Sequence, residues 1–297
     1  MTKKTLNGPH GDVSVFIHGD DATGIPLLVI NGGPGAAHGY LESLATFSDE
    51  RPVILYDQLG TGDSDHPNDT TLWTVANSAR EIDFVRLELA LDRVHLYSHS
   101  AGCAFAIQHL LDGGSAESHL MLSPMISTEQ YNRDGAFHRA NLPQEDQDIL
   151  TRTESDPNFA NWTYPVDLPE DYVEVTHRFA GLHWCRLNPP PQAAIDAFGQ
   201  IDAQYYKTMY GPEFFYIRGT LKDAEQFDRL GEIATPTCII AGEFDWITPA
   251  NVDIIAAGLP NCERHQFDGC AHLSNLEKPT EHDAIAKAFF RRVESLA

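Results

Sequence analysis

The sequence predicts an α/β protein, a mostly parallel sheet with crossover helices into which a helical segment is inserted. Three observations carry this reading. From the N-terminus to about Met125, short apolar runs bounded by turn residues alternate with runs of helical period, the pattern of strands joined by crossover helices. From Ile126 to about Glu225 the strand-like runs stop, and helix-like segments rich in aromatic residues replace them. Sheet texture then returns near Thr237 and persists toward the C-terminus. The expected division is a core of residues 1–125 and 226–297 and a helical cap of residues 126–225.

Taken in order, the expected strands are Val13–Ile17, Pro26–Ile30, Val53–Tyr56, Val94–Tyr97 and His119–Ser123, each a short apolar run between turn residues. Between the last two, "AGCAFAIQHLL" (101–111) reads as a buried helix whose small residues pack on the sheet. The inserted stretch contains "NPPP" at Asn188–Pro191, which breaks any regular element. After it, "TCIIAGEFD" (Thr237–Asp245) and "RHQFDG" (Arg264–Gly269) read as the last strands, and Thr280–Ser295 has the apolar spacing of an amphipathic helix.

Composition bounds the function. The chain of 297 residues, 42% of them hydrophobic, can bury a substantial core. A formal net charge of −23 argues against nucleic acid and anionic membrane surfaces as partners, and favours solubility. The five cysteines, Cys103, Cys185, Cys238, Cys262 and Cys270, are odd in number and lack CxxC spacing, so free thiols are expected rather than disulfides or a zinc site. The N-terminal stretch shows no apolar run of signal-peptide length, and no run approaches a membrane span. The expectation is a cytoplasmic protein without metal or cofactor, acting on a small molecule or a short peptide; its oligomeric state is left open.

The chemistry starts at "YSHSAGC", Tyr97 to Cys103. A strand-turn-helix carrying small-x-Ser-x-Gly is the form of a nucleophile elbow, whose tight turn needs small flanking residues and projects the serine at the sheet edge. In that register Ser98 takes the usual first-glycine position and Ser100 is the nucleophile. A Ser-rich turn is also an ordinary turn, since hydroxyls bond the local backbone there. Partners decide between the two readings. A serine needs a base to remove its proton, and that base needs a carboxylate to fix its tautomer. Asp245, in "GEFDWITP", and His272, in "GCAHLSNLEKP", follow later strands in the chain order Ser, Asp, His that α/β-hydrolases require.

An oxyanion hole needs backbone N–H groups aimed at developing negative charge. "INGGPGAAHGY" (30–40) follows the strand "PLLVI" where that donor belongs, and the N–H groups of Gly33 and Ala101 take the role. A phosphate loop is excluded because no Gly-Lys-Ser/Thr completes the glycines. His99, His177 and His183 have no metal-ligand spacing. Trp162, Tyr164, Trp184, Tyr205, Tyr206, Tyr210, Phe214 and Phe215 singly read as cap core and together as an apolar roof over the serine.

The segments "NGGPG", "YDQLGTGDSD", "SHSAG", "GEFDWITP" and "AHLSNLEKP" together resemble the proline iminopeptidase family of serine α/β-hydrolases, and "YGPEFFYIRGTLKD" (210–223) resembles a segment at the end of that family's cap. The resemblance implies the α/β-hydrolase fold and release of an N-terminal residue, often proline, from a peptide or a related amide, without a cofactor. It also implies acidic residues that hold the substrate's free α-amine. One such position matches Glu213 only with an offset of one residue and otherwise falls on Phe214; another, directly after the triad aspartate, is Trp246. Asn31 stands where the family has histidine, and Ser98 and His99 stand where it has glycine and an aromatic residue. Glu213, Phe214, Trp246 and His99 are therefore the candidate substrate-binding residues, with Glu213 read equally as a solvated acid on a cap helix. Two rivals remain: a carboxylesterase or lactonase for an apolar substrate without a free amine, and a ligand-binding homologue that has lost catalysis.

Overall fold

The computed structural model describes residues 1–164 and 166–296. Its centre is an eight-stranded sheet of β1 (Thr2–Gly8), β2 (Gly11–His18), β3 (Leu27–Ile30), β4 (Val53–Tyr56), β5 (His95–His99), β6 (Ser118–Leu122), β7 (Thr237–Gly242) and β8 (Cys262–Phe267), in the order β1-β2-β4-β3-β5-β6-β7-β8. Pairings β1–β2 and β2–β4 are antiparallel, and all others are parallel. The chain has the α/β-hydrolase fold.

Strand β1 is the element the sequence pattern does not disclose. Thr2–Gly8, "TKKTLNG", buries only Leu6 and exposes its lysine pair, because it lies at the edge of the sheet and pairs with β2 alone. Charged residues on an edge strand deter pairing with another chain.

The central strands bury both faces, which is why they read as continuous apolar runs. Successive residues feed opposite layers: Leu27 and Val29 pack with Phe289 and Phe290 of the C-terminal helix, whereas Leu28 and Ile30 pack with Ala104, Phe105 and Ile82 on the other face. The covering helices are α1 (Val75–Glu88) and α2 (Gly102–Leu111). Among the described residues between β6 and β7 the named elements are helical: α3 (Thr128–Ala140), α4 (Gln144–Glu154), α5 (Glu170–His183), α6 (Gln192–Gly199) and α7 (Ala203–Met209), with short 3-10 turns. The chain closes with α8 (Pro249–Gly258), the single turn α9 (Ser274–Glu277) and α10 (Pro279–Leu296).

The carboxyl ends of β3, β5, β6, β7 and β8 lie side by side in the sheet, and the loops after β3, β5, β7 and β8 converge on one crevice beneath the inserted helices. Among the described residues no helix is long and apolar enough to cross a membrane. All five cysteines are free thiols.

Candidate active site

Strand β5 turns into α2 through Ser100, whose φ is +53°. A non-glycine residue held there costs about 1–3 kcal/mol, so the surroundings must fix it. They do: Ser100 N–H donates to the Leu122 carbonyl at 3.0 Å, and its own carbonyl accepts from Cys103 N–H at 2.9 Å and Met125 N–H at 3.2 Å. Gly102 opens the helix where a Cβ would stand 2.5 Å from the Asn31 oxygen, so only glycine lets α2 seat against the end of β3. Ser100 lies on the cavity wall. Ser98 is fully buried beneath it, donating to Cys103 Sγ at 3.2 Å and lying 2.6 Å from His119 Nε2. Burial, with a smaller push from His109, lowers the His119 imidazole to a pKa of about 3.

Asp245 follows β7 and His272 follows β8. Asp245 Oδ1 accepts from His272 Nδ1–H at 2.7 Å and from Ile247 N–H at 2.9 Å. With its proton on Nδ1, the imidazole keeps the Nε2 lone pair free for a base's work. The carbonyl of His272 is itself held, by Ser123 Oγ–H at 3.1 Å and by His99 Nε2–H at 3.2 Å. Among the described residues Ser100 Oγ makes no hydrogen bond to His272, although both side chains line the same cavity. Contacts of this kind tighten when substrate is bound.

The loop after β3 approaches the elbow closely: a Cβ on Gly32 would stand 2.9 Å from that of Ser100. Asn31 holds the loop to the sheet by donating from Nδ2 to the Tyr56 carbonyl at 2.9 Å, and Gln58 Nε2–H donates to the Asn31 carbonyl at 3.2 Å. Gly32 N–H donates to Tyr40 Oη at 2.8 Å. Gly33 and Ala101 both line the cavity, and among the described residues neither backbone N–H is spent on another group. Ala101 also precedes α2, whose N-terminal partial charge adds to the pull on an anion.

The cavity has a volume of about 420 Å³, and its wall is aromatic and aliphatic, with Tyr131, Tyr206, Tyr210, Phe214, Trp184 and Trp246 prominent. Among the described residues no Asp, Glu, Lys or Arg lines it. Phe214 and Trp246 are on the wall, but Glu213 is not: its carboxylate accepts from Arg218 Nε–H at 3.1 Å. The adjacent Phe214 lines the cavity instead. His99 is likewise not a free polar contact for substrate. Its ring borders the cavity, yet both nitrogens are engaged by the protein, Nδ1 with Tyr40 Oη at 2.8 Å and Nε2 with the His272 carbonyl.

Two residues that brace the site, His138 and Asp134, carry no signal in the sequence, whereas Glu243 and Glu277 read there as loop supports. His138 of α3 donates from Nε2 to the Trp246 carbonyl at 3.0 Å, and His183 of α5 lies 2.8 Å from the Phe244 carbonyl, so the inserted helices grip both neighbours of Asp245. Asp134 accepts from Thr248 Oγ1–H at 2.7 Å and from Asn251 Nδ2–H at 2.8 Å, fastening α3 to the start of α8. Glu243 and Glu277 cap loop amides, those of Gly269 at 2.9 Å and Ala271 at 3.0 Å. Among the described residues one trio, Cys238, Glu263 and His265, has ligand-type atoms within 4.8 Å of one another. None of the three lines the cavity, and the Arg292 guanidinium already occupies Glu263.

The chain is similar to known proteins over nearly its whole length. A family model described as alpha/beta hydrolase fold matches residues 25–123. The chain is 32% identical over 286 residues to the proline iminopeptidase of Heyndrickxia coagulans, covering 95% of this chain and 96% of that one. It is 30% identical over 274 residues to the proline iminopeptidase of Saccharolobus solfataricus, covering 91% and 86% respectively. Among solved structures, the proline iminopeptidase of Mycobacterium smegmatis superposes with a TM-score of 0.88 at 30% identity over 99% of both chains. VinJ superposes with a TM-score of 0.90 at 26% identity over 98% of this chain and 99% of that one. The chain belongs to the proline iminopeptidase family of serine α/β-hydrolases.

Proposed function

We propose that this serine hydrolase releases an N-terminal aminoacyl group, prolyl included, from a short peptide or a small amide in the cytoplasm. The observation that carries the reading is the pairing of Asp245 with His272 on the wall that also presents Ser100 and two unengaged backbone N–H groups. Ser100 Oγ attacks the substrate carbonyl while His272 Nε2 takes its proton, and Asp245 holds the imidazolium that forms. The Gly33 and Ala101 N–H groups take the oxyanion of the tetrahedral intermediate. His272 returns the proton to the leaving amine; a water then attacks the acyl-enzyme by the same route and frees Ser100.

A second reading keeps the same chemistry but gives it a neutral acyl group, as an esterase or lactonase would take. The observation behind it is the cavity wall. An ammonium buried against rings, without a carboxylate, loses its hydration and recovers only part of it from the ring faces. Hydrolysis of a prolyl anilide, its N-blocked form and an aryl ester separates the two. Preference for the free amine supports aminopeptidase action; preference for the blocked or ester substrates supports the second reading.

A further inference from the structure

Between the oxyanion loop and the histidine loop runs one continuous chain of hydrogen bonds. Gly32 N–H donates to Tyr40 Oη at 2.8 Å, Tyr40 Oη is 2.8 Å from His99 Nδ1, and His99 Nε2 is 3.2 Å from the carbonyl oxygen of His272. Tyr40 and His99 are both fully buried. Each proton in this chain has a determined place. A carbonyl oxygen only accepts, so His99 Nε2 carries the hydrogen. In a neutral imidazole Nδ1 is then an acceptor, and Tyr40 supplies its hydroxyl proton there while its oxygen receives Gly32 N–H. Burial and the neighbouring His272 hold the His99 imidazole well below its ordinary pKa, so the arrangement stays neutral. Burial likewise keeps the Tyr40 phenol protonated.

We propose that His99 is a positioning residue, which with Tyr40 locks the oxyanion loop and the backbone of the catalytic histidine into one register around Ser100. The need follows from the topology. His272 lies between β8 and α9, outside any regular element, and Gly33 lies on an irregular loop after β3. Neither position is fixed by sheet or helix hydrogen bonds. His99 is the last residue of β5, next to the nucleophile, and its ring centroid is 4.7 Å from that of His272. A side chain at that point, with one donor and one acceptor on opposite sides, reaches both loops at once. Misplacement of a reacting group by about 1 Å costs on the order of a hundredfold in rate, so slack in either loop appears in kcat.

The inference rests on the acyl-enzyme reading of Ser100, which labelling of the unmodified protein by a fluorophosphonate tests separately. The experiment compares His99→Leu, His99→Gln and Tyr40→Phe across a concentration series of an aryl ester, far below their melting temperatures. His99→Leu removes donor and acceptor, and is expected to lower kcat by roughly tenfold or more while KM stays within about twofold. His99→Gln restores an amide donor and a carbonyl acceptor, and is expected to recover most of that loss. Should His99→Leu fail to fold, Tyr40→Phe, which deletes one oxygen, is expected to show the same fall in kcat. The proposal is overturned if kcat is unchanged in the folded variants, if KM rises at constant kcat, or if His99→Gln is as slow as His99→Leu.

Discussion

The rings of Phe214 and Trp246 pack with their centroids 4.8 Å apart and tilted by 51°, closing the cavity wall with aromatic surface. Both positions are where the family resemblance implies a carboxylate for the substrate amine. The acid next to Phe214, Glu213, is paired with Arg218 off the wall, in a partly exposed ion pair of the sort that contributes about 0–1 kcal/mol. Glu213→Gln is therefore expected to change kcat/KM for a prolyl anilide less than about threefold, and for an aryl ester equally little. Steady-state kinetics on both substrates checks it. A loss of tenfold or more confined to the anilide would mean that Glu213 reaches the amine.

The elbow offers two serines with opposite environments. Ser100→Ala is expected to abolish turnover and keep the fold, since it removes a hydroxyl on the cavity wall. Ser98→Ala is expected to retain most activity and lower stability by about 1–3 kcal/mol, because His119 loses its buried partner. Activity and urea midpoints of the two variants check this, and a reversed pattern would show the register to be wrong.

His119 makes the fold sensitive to acid. Its pKa is lowered by burial from 6.5 to about 3, so below 6.5 the unfolded chain binds a proton that the fold excludes. The contribution of His119 is full above pH 6.5 and falls as the pH drops toward about 3. At pH 5 the loss from this residue is about 2 kcal/mol. Glu81 acts oppositely: burial raises its carboxyl to about 7, so its contribution is present in acid and lost as pH rises through that range. The difference between the wild type and His119→Gln isolates the histidine. Its urea-unfolding free energy between pH 7 and pH 5 should fall less than that of the wild type, and parallel curves would sink the assignment.

What was legible in the sequence depended on range. Strands such as Val53–Tyr56 announce themselves because both faces are buried, whereas Thr2–Gly8 does not, because an edge strand with one buried residue has no pattern to read. Ser100, Asp245 and His272 could be named as candidates because each sits at a strand end in a recognisable motif. The side chains that orient them could not: Tyr40, Ser123 and His138 meet the site only through tertiary packing, across separations no local pattern records. Glu213, a candidate partner for the substrate amine or a solvated acid by sequence, lies off the cavity wall for a related reason. One position along the chain decides which side chain faces the cavity, and Arg218, five residues on, takes the acid that remains.

The most direct measurement is the site and extent of labelling by a fluorophosphonate, read by intact mass and by peptide mapping. A single adduct is expected on the peptide carrying Ser100, formed rapidly in the wild type, absent in Ser100→Ala, and slowed by several orders of magnitude in His272→Ala and in Asp245→Asn. Losses in the double variant should fall well short of the product of the single ones, because the triad acts as a unit. An adduct on Ser98, or labelling of Ser100 at an undiminished rate without His272, would contradict it.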